Sequence, residues 1–282
     1  MIETGKYNTM RIVRFVDFGA YLTDSSDGPD ADEREILMPA KYIDDALVVG
    51  DCVDVFVYLD SGGRPVATTE QPLATVGEFA FMKVAQVNST GAFMDWGVTK
   101  QLLVPFSEQK VKMQPGGVYL VYVYFDNVSG RIVGSTRLSK HLGNVYPDYK
   151  HGDKVNCLVW QQTNIGYRVI VDNLHAGMIY ENELFRPLET GDKVEGYVRQ
   201  VRPDGKIDIT LSAPAAEREA GLAERVLAFL RTNSGRRLSD KDSPDVIRSL
   251  FSCSKKDFKK AVGHLYRDKK VEIGADGEIK LV

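Results

Sequence analysis

The chain has 282 residues, more than one typical domain, and its 43% hydrophobic and 27% charged composition excludes an intrinsically disordered protein. The net charge of −3 excludes binding of polyanions by bulk charge, yet it hides an asymmetry: residues 215–282 carry 15 basic and 11 acidic side chains, and residues 1–214 carry 21 and 28. The longest apolar run, Val118 to Phe125, is far shorter than the ~20 residues of a membrane helix, and no secretory leader follows Met1, so a cytoplasmic location away from membranes is expected.

Along the chain, a pattern of glycines recurs three times. Gly5, Gly77 and Gly152 each open a strand-like run, over Lys6 to Val13, Glu78 to Val87 and Asp153 to Val159. Fourteen residues after each stands another glycine, Gly19, Gly91 or Gly166, with an aromatic close behind: Tyr21, Phe93 and Tyr167. A third glycine, Gly50, Gly116 or Gly191, opens a second long strand at an offset of 45, 39 or 39 residues. The longer first offset is explained by an acidic insertion, Asp24 to Glu35, whose composition is that of a solvated loop.

Each unit then turns at Ser61-Gly-Gly-Arg, Val128-Ser-Gly-Arg or Pro203-Asp-Gly-Lys, which are hairpin signals between apolar runs. Units of ~70 residues exceed the usual solenoid repeat, and five short strands leave exposed edges unless the sheet closes. The expected fold is therefore mainly β, with three tandem five-stranded OB-type barrels over residues 1–70, 71–144 and 145–214.

From Pro214 the period changes to that of helices. Ala216 to Arg231 sets Leu222, Val226, Phe229 and Leu230 on one face. Ser243-Pro244 is a strong helix start, and Ser252 or Ser254 caps a further helix with Phe258, Val262 and Leu265 inward. Residues 271–282 form a hairpin around Asp276-Gly277. Three helices and a hairpin over residues 215–282 make a small α+β winged-helix domain.

Three cysteines, Cys52, Cys157 and Cys253, lie far apart without CxxC spacing, and the four histidines do not cluster, so no disulfide framework, metal site or cofactor is expected. Cys52 and Cys157 fall in strands, where a reduced thiol acts as a small hydrophobe. No nucleophile elbow, phosphate loop or zinc-protease motif is present, so no catalytic residue is assigned.

OB barrels bind single strands by stacking bases on aromatics while cations follow the backbone. The candidate RNA-binding residues are Phe18, Tyr21, Phe93, Tyr167 and Tyr180, with Arg14, Lys83, Arg131, Arg168 and Lys206 around them. In the tail, Lys255, Lys256, Lys259 and Lys260 gather on the outward side of the third helix and form a candidate phosphate contact.

Several of these segments resemble a known family. Phe18-Gly-Ala-Tyr, Thr90-Gly-Ala-Phe, the Gly-Asp-Lys-Val openings at Gly152 and Gly191, and the closing Ile209-Thr-Leu-Ser resemble the RNA-binding domain of the ribosomal-protein S1 type. Three such units and a winged helix resemble, as an order of domains, the bacterial conserved virulence factor B family. The resemblance implies RNA binding and a regulatory role in gene expression without a reaction. The histidine that such domains commonly carry on the third strand is replaced by Pro39, Pro105 and Tyr180, and the third unit lacks the Gly-Ala-aromatic form.

Three readings follow. The first is a sequence-tolerant single-stranded RNA binder in which weak barrels act together. The second is a DNA-binding regulator led by the winged helix, and the third a protein-interaction scaffold on the ribosome.

Overall fold

The computed structural model describes residues 1–26, 34–184, 187–232 and 237–282, so that residues 27–33 of the expected acidic loop lie outside them. The first barrel comprises β1 (Tyr7–Val16), β2 (Gly19–Asp24), β3 (Ile36–Pro39), β4 (Cys52–Leu59) and β5 (Pro65–Thr68). The second comprises β6 (Phe79–Val87), β7 (Gly91–Met94), β8 (Leu102–Pro105), β9 (Val118–Asp126) and β10 (Arg131–Ser135). The third comprises β11 (Lys154–Thr163), β12 (Gly166–Val171), β13 (His175–Tyr180), β14 (Lys193–Val201) and β15 (Ile207–Thr210).

All three close in the same cyclic order, first strand to second, third, fifth and fourth, with the third and fifth parallel and the rest antiparallel. Closure leaves no free edge, which a five-stranded unit of this size needs. In each, the first strand carries a bulge at the same place, between Ile12 and Arg14, Val84 and Gln86, and Val159 and Gln161. A bulge increases local twist and lets one strand serve two neighbours around a tight barrel.

The recurring glycine has a steric cause. Gly19, Gly91 and Gly166 pair with Pro39, Pro105 and Tyr180, and their φ angles are +158°, +155° and +146°. A Cβ at these positions would stand 2.2, 2.3 and 2.1 Å from the carbonyl oxygens of Met38, Val104 and Ile179. Only glycine tolerates both the angle and the approach.

Alternation from that fixed point fills the interiors. Met10, Ile12, Leu22, Met38, Val55 and Val57 pack inside the first barrel, and Val155, Val159, Val169, Ile179, Val198 and Ile209 inside the third. Cys157 belongs to this third core, where burial pushes its thiol up to about 12. Cys52 differs from expectation: it lies in β4 but is exposed.

The barrels also pack on one another. Phe56 and Tyr58 point away from the first interior and join the second barrel's cluster, Phe56 meeting Trp96 edge-to-face at 5.4 Å. The Trp96 indole N–H donates to the Ala74 carbonyl at 2.7 Å. Lys41 donates to the Thr99 hydroxyl, which donates in turn to Glu70. A separate apolar cluster of Phe79 and Leu120 against Leu158 and Ile170 joins the second barrel to the third. There the Phe79 N–H donates to the Asn173 side-chain oxygen at 3.2 Å.

The tail contains α1 (Ala215–Thr232), α2 (Pro244–Phe251), α3 (Lys255–Arg267), β16 (Val271–Ile273) and β17 (Ile279–Leu281). Ser243 and Ser254 accept hydrogen bonds from the backbone N–H groups of Val246 and Asp257, capping α2 and α3, and Pro244 opens α2. Leu222, Val226, Ile247, Phe258, Val262 and Leu265 form its separate core.

The glycine argument is testable by comparison. Gly91→Ala should destabilise the chain by about 2 kcal/mol or more, whereas Gly116→Ala, at φ +79° with open space around it, should cost no more than about 1 kcal/mol. Urea midpoints measure both. Equal losses would show that the close carbonyl is not the constraint.

Candidate nucleic-acid interface

The hydrogen-bonded register defines an outward row across each barrel, and the three rows occupy equivalent positions. In the first barrel Arg14, Tyr21, Leu37, Val66 and Tyr58 lie side by side on successive strands. In the second the row is Gln86, Phe93, Leu103, Val133 and Tyr124. In the third it is Gln161, Arg168, Met178, Asp208 and Gln200. Each row begins just past the bulge, and its second member stands two residues beyond the tight glycine.

The first row presents a cation–aromatic unit. The Arg14 guanidinium lies 3.9 Å from the Tyr21 ring centroid, and its terminal nitrogen is 2.7 Å from Glu35. Phe18 is 58% exposed and meets Tyr21 edge-to-face at 6.5 Å. Three of the sequence candidates are therefore brought together here. Two half-exposed rings and a guanidinium can stack bases and neutralise a phosphate, although Glu35 competes for that cation.

The second row is the most apolar. Phe93 is half-buried beside Leu103, and Arg131 opens β10 at the end of the turn, exposed. Arg131 makes no side-chain hydrogen bond or ion pair among the described residues. Lys83 does not join it. It is exposed three residues before Gln86 and faces Val118 on β9, outside the row.

The third row departs from expectation. Tyr167 is only 2% exposed and fills the barrel interior with Val169 and Ile179, so its ring is unavailable for stacking. The reason is register. Gly19 and Gly91 are followed by an inward alanine and then the outward aromatic, while Gly166 is followed directly by the inward tyrosine, and the outward position is Arg168. Arg168 lies 5.2 Å from the Trp160 ring centroid. Lys206 is paired with Asp204 in the hairpin at 2.7 Å.

At the far end of this row stands a carboxylate that sequence reasoning missed. Asp208 is 3% exposed, yet it accepts hydrogen bonds from Tyr180 Oη at 3.2 Å, Gln200 Nε2 at 2.7 Å and Arg202 Nε at 3.1 Å. A second Arg202 nitrogen is 2.7 Å from its other oxygen, and Arg202 also donates to Tyr180. Burial raises the Asp208 carboxyl, but the Arg202 and Gln200 hydrogen bonds and the Arg202 charge outweigh it and hold the group below the usual carboxylate range. The signal available in the sequence is a lone acid between Ile207 and Ile209, where an unpartnered charge would be costly. Tyr180 and Arg202 border an open cleft of about 580 Å³.

In the tail, three of the four α3 lysines are already engaged. Lys260 pairs with Glu219 of α1 at 3.1 Å, Lys259 lies 3.9 Å from Asp240, and Lys255 donates to the Lys241 carbonyl. The acids that offset them come from other elements, beyond the reach of a local count, and Lys256 remains exposed. A different basic cluster faces a groove of about 930 Å³: Arg218 and Arg225, seven residues apart on α1, with Arg248 of α2. Among the described residues no group of histidine, cysteine and carboxylates could hold a metal ion, and no helix is long and apolar enough to cross a membrane.

The Asp208 network predicts a pH dependence. Its folded-state titration lies below that of the unfolded chain, so its contribution is complete above about pH 4 and is lost as the pH falls through the depressed folded value. Asp208→Asn should lower the urea midpoint at neutral pH, and the gap from the parent should shrink on acidification. A gap that is the same at both pH values would refute the charge-based account.

Comparison with known proteins bears on the domains. The family model of the S1 domain matches residues 4–70, and that of the CvfB-like winged helix domain matches residues 224–281. YitL of Bacillus subtilis is 28% identical over 279 residues, covering 96% of this chain and 91% of its own. Conserved virulence factor B of Staphylococcus aureus is 26% identical over 254 residues, covering 87% and 85%. A solved multidomain protein with nucleic acid binding domains from Streptococcus pneumoniae matches 99% of this chain and 98% of its own, at 23% identity and a TM-score of 0.40. The chain is thus similar to the S1 domain over residues 4–70, to the CvfB-like winged helix domain over residues 224–281, and to the conserved virulence factor B proteins over most of its length.

Proposed function

We propose that this chain is a non-catalytic protein that binds single-stranded RNA and regulates gene expression after transcription. The observation that carries the reading is the recurrence of an outward row, with an aromatic at its second position in two barrels and an arginine in the third. A ring on a strand face offers any base a π surface, and Arg14, Arg131 and Arg168 stand within the same faces to meet phosphates. Such contacts read little sequence.

The division of labour is unequal. The first two barrels supply stacking through Phe18, Tyr21 and Phe93. The third supplies polar edges through Tyr180, Arg202 and Asp208, suited to hydrogen bonding and less to stacking. The arginine groove of the tail, with Lys256, adds electrostatic grip. The apolar contacts between barrels hold weak sites close together, which raises their joint affinity.

Binding of labelled RNA, single-stranded DNA and duplex DNA to the whole chain tests this. Tyr21→Ala and Phe93→Ala should each weaken RNA binding about tenfold or more, since a stacked base is worth ~1–3 kcal/mol. Affinity should fall steeply with added salt. Tight binding to the duplex that neither substitution alters would refute the reading in favour of a winged-helix DNA regulator, and no binding of any nucleic acid at low salt would favour a scaffold.

A further inference from the structure

Where the first two barrels meet, a cavity of about 180 Å³ opens beside Phe93. Phe93, Leu103 and Val133, consecutive members of the second outward row, line one side of it. Tyr58 and Leu59, at the end of β4, line the other. The cavity is thus shared. The second barrel contributes half of a pocket, and the first barrel completes it.

Its size is informative. An apolar cavity of ~150 Å³ is known to hold one benzene ring, while drug-sized ligands need ~300–1,000 Å³. The space fits a single flat ring and little more. Its lining is mixed in a particular way: apolar at Leu103, Val133 and Leu59, polar at Thr90 and Gln101, cationic at Arg131 and Lys100, and anionic at Asp60, whose carboxylate is held by Arg64. The Gln101 amide oxygen accepts from Gln86 Nε2, which leaves its NH2 group as a donor, and Arg131 has no partner among the described residues. A nucleobase needs this combination, since it has apolar faces, hydrogen-bonding edges and a phosphate nearby. A phenylalanine or tyrosine side chain of a protein partner would use the apolar walls and leave the amide and the two cations unengaged.

We infer that this cavity receives one nucleobase of a bound single strand, inserted between the first and second barrels against Phe93, with an adjoining phosphate on Arg131. The inference rests on the RNA-binding reading and adds to it a pocket that neither barrel possesses alone. In the third barrel the row positions equivalent to Phe93 and Val133 are held by Arg168 and Asp208, which replace the apolar wall with charge.

Trp96 also lines the cavity, and the chain has only one other tryptophan. Fluorine NMR of the full chain labelled with fluorotryptophan therefore reports occupancy directly, the Trp96 signal being assigned from a Trp160→Phe sample. Uridine monophosphate and a short oligouridylate should shift the Trp96 resonance saturably. Leu59→Phe, a first-barrel substitution outside every row, should abolish the response to the mononucleotide and weaken oligouridylate binding about tenfold. If Leu59→Phe does not fold, Thr90→Phe narrows the same cavity from an exposed turn and should act alike.

The outcomes separate the two levels of the claim. RNA binding by anisotropy with an unmoved Trp96 signal, or unchanged affinity in both filled variants, overturns the pocket and leaves the RNA reading standing. A Trp96 shift with N-acetyltyrosinamide and none with the nucleotide overturns it in favour of an aromatic side chain. No RNA binding at all overturns both.

Discussion

The second strand of each barrel begins beneath a carbonyl of the third, at a distance that leaves no room for a Cβ. That approach locks the register of three strands at once, because Gly19, Gly91 and Gly166 each face the last residue of the third strand. Strand register has a period of two, so fixing one residue decides which side chains point inward along the entire strand. Ala20 and Ala92 are driven into the interior, and Tyr21 and Phe93 onto the face. Interface and core are consequences of the same contact. A slip of one residue would bury the rings and expose the apolar set, which is why no substitute for glycine preserves either.

The third barrel shows how strict that logic is. Its glycine is followed by tyrosine where the others have alanine, and the alternation sends the ring inward regardless of its chemistry. An arginine then occupies the outward position and a carboxylate the fourth place of the row, where the other barrels have valine. A buried carboxylate is tolerated only when its oxygens are satisfied, and Tyr180, Gln200 and Arg202 do this together. The same three donors are thereby pre-set along the border of the cleft. One fold thus carries two kinds of face, and the difference comes from a handful of residues rather than from topology.

Much of the fold was legible because glycine spacing reports backbone geometry, which is local. The strands, the hairpin turns, the capping serines Ser243 and Ser254 and the inward faces of α1 and α3 follow from short-range rules. The site was less legible because facing direction depends on register, and a one-residue difference after Gly166 moved Tyr167 inside. The Asp208 network was invisible because its donors come from β13, β14 and the following turn, and meet only when the barrel closes. For the same reason the α3 lysines looked unopposed, while Glu219 and Asp240 reach them from elsewhere in the domain. Sequence patterns mark elements well and encounters between elements poorly.

Contacts between the barrels carry the remaining step from fold to function. Phe56 and Tyr58 alternate with the interior residues Val55 and Val57, so the same strand that lines the first barrel also supplies an apolar surface to the second. Truncating a ring buried in such a contact costs about 3–5 kcal/mol, comparable with much of a domain's stability. Flexible tethers would let each barrel bind alone and weakly; packed interfaces hold the rows at fixed separations. If the body binds a strand as proposed, the acidic balance of residues 1–214 makes this arrangement important, because long-range attraction does not draw a polyanion to that part of the chain. In the proposed reading, short-range stacking on several rings held together takes that role, with the basic tail drawing the strand near.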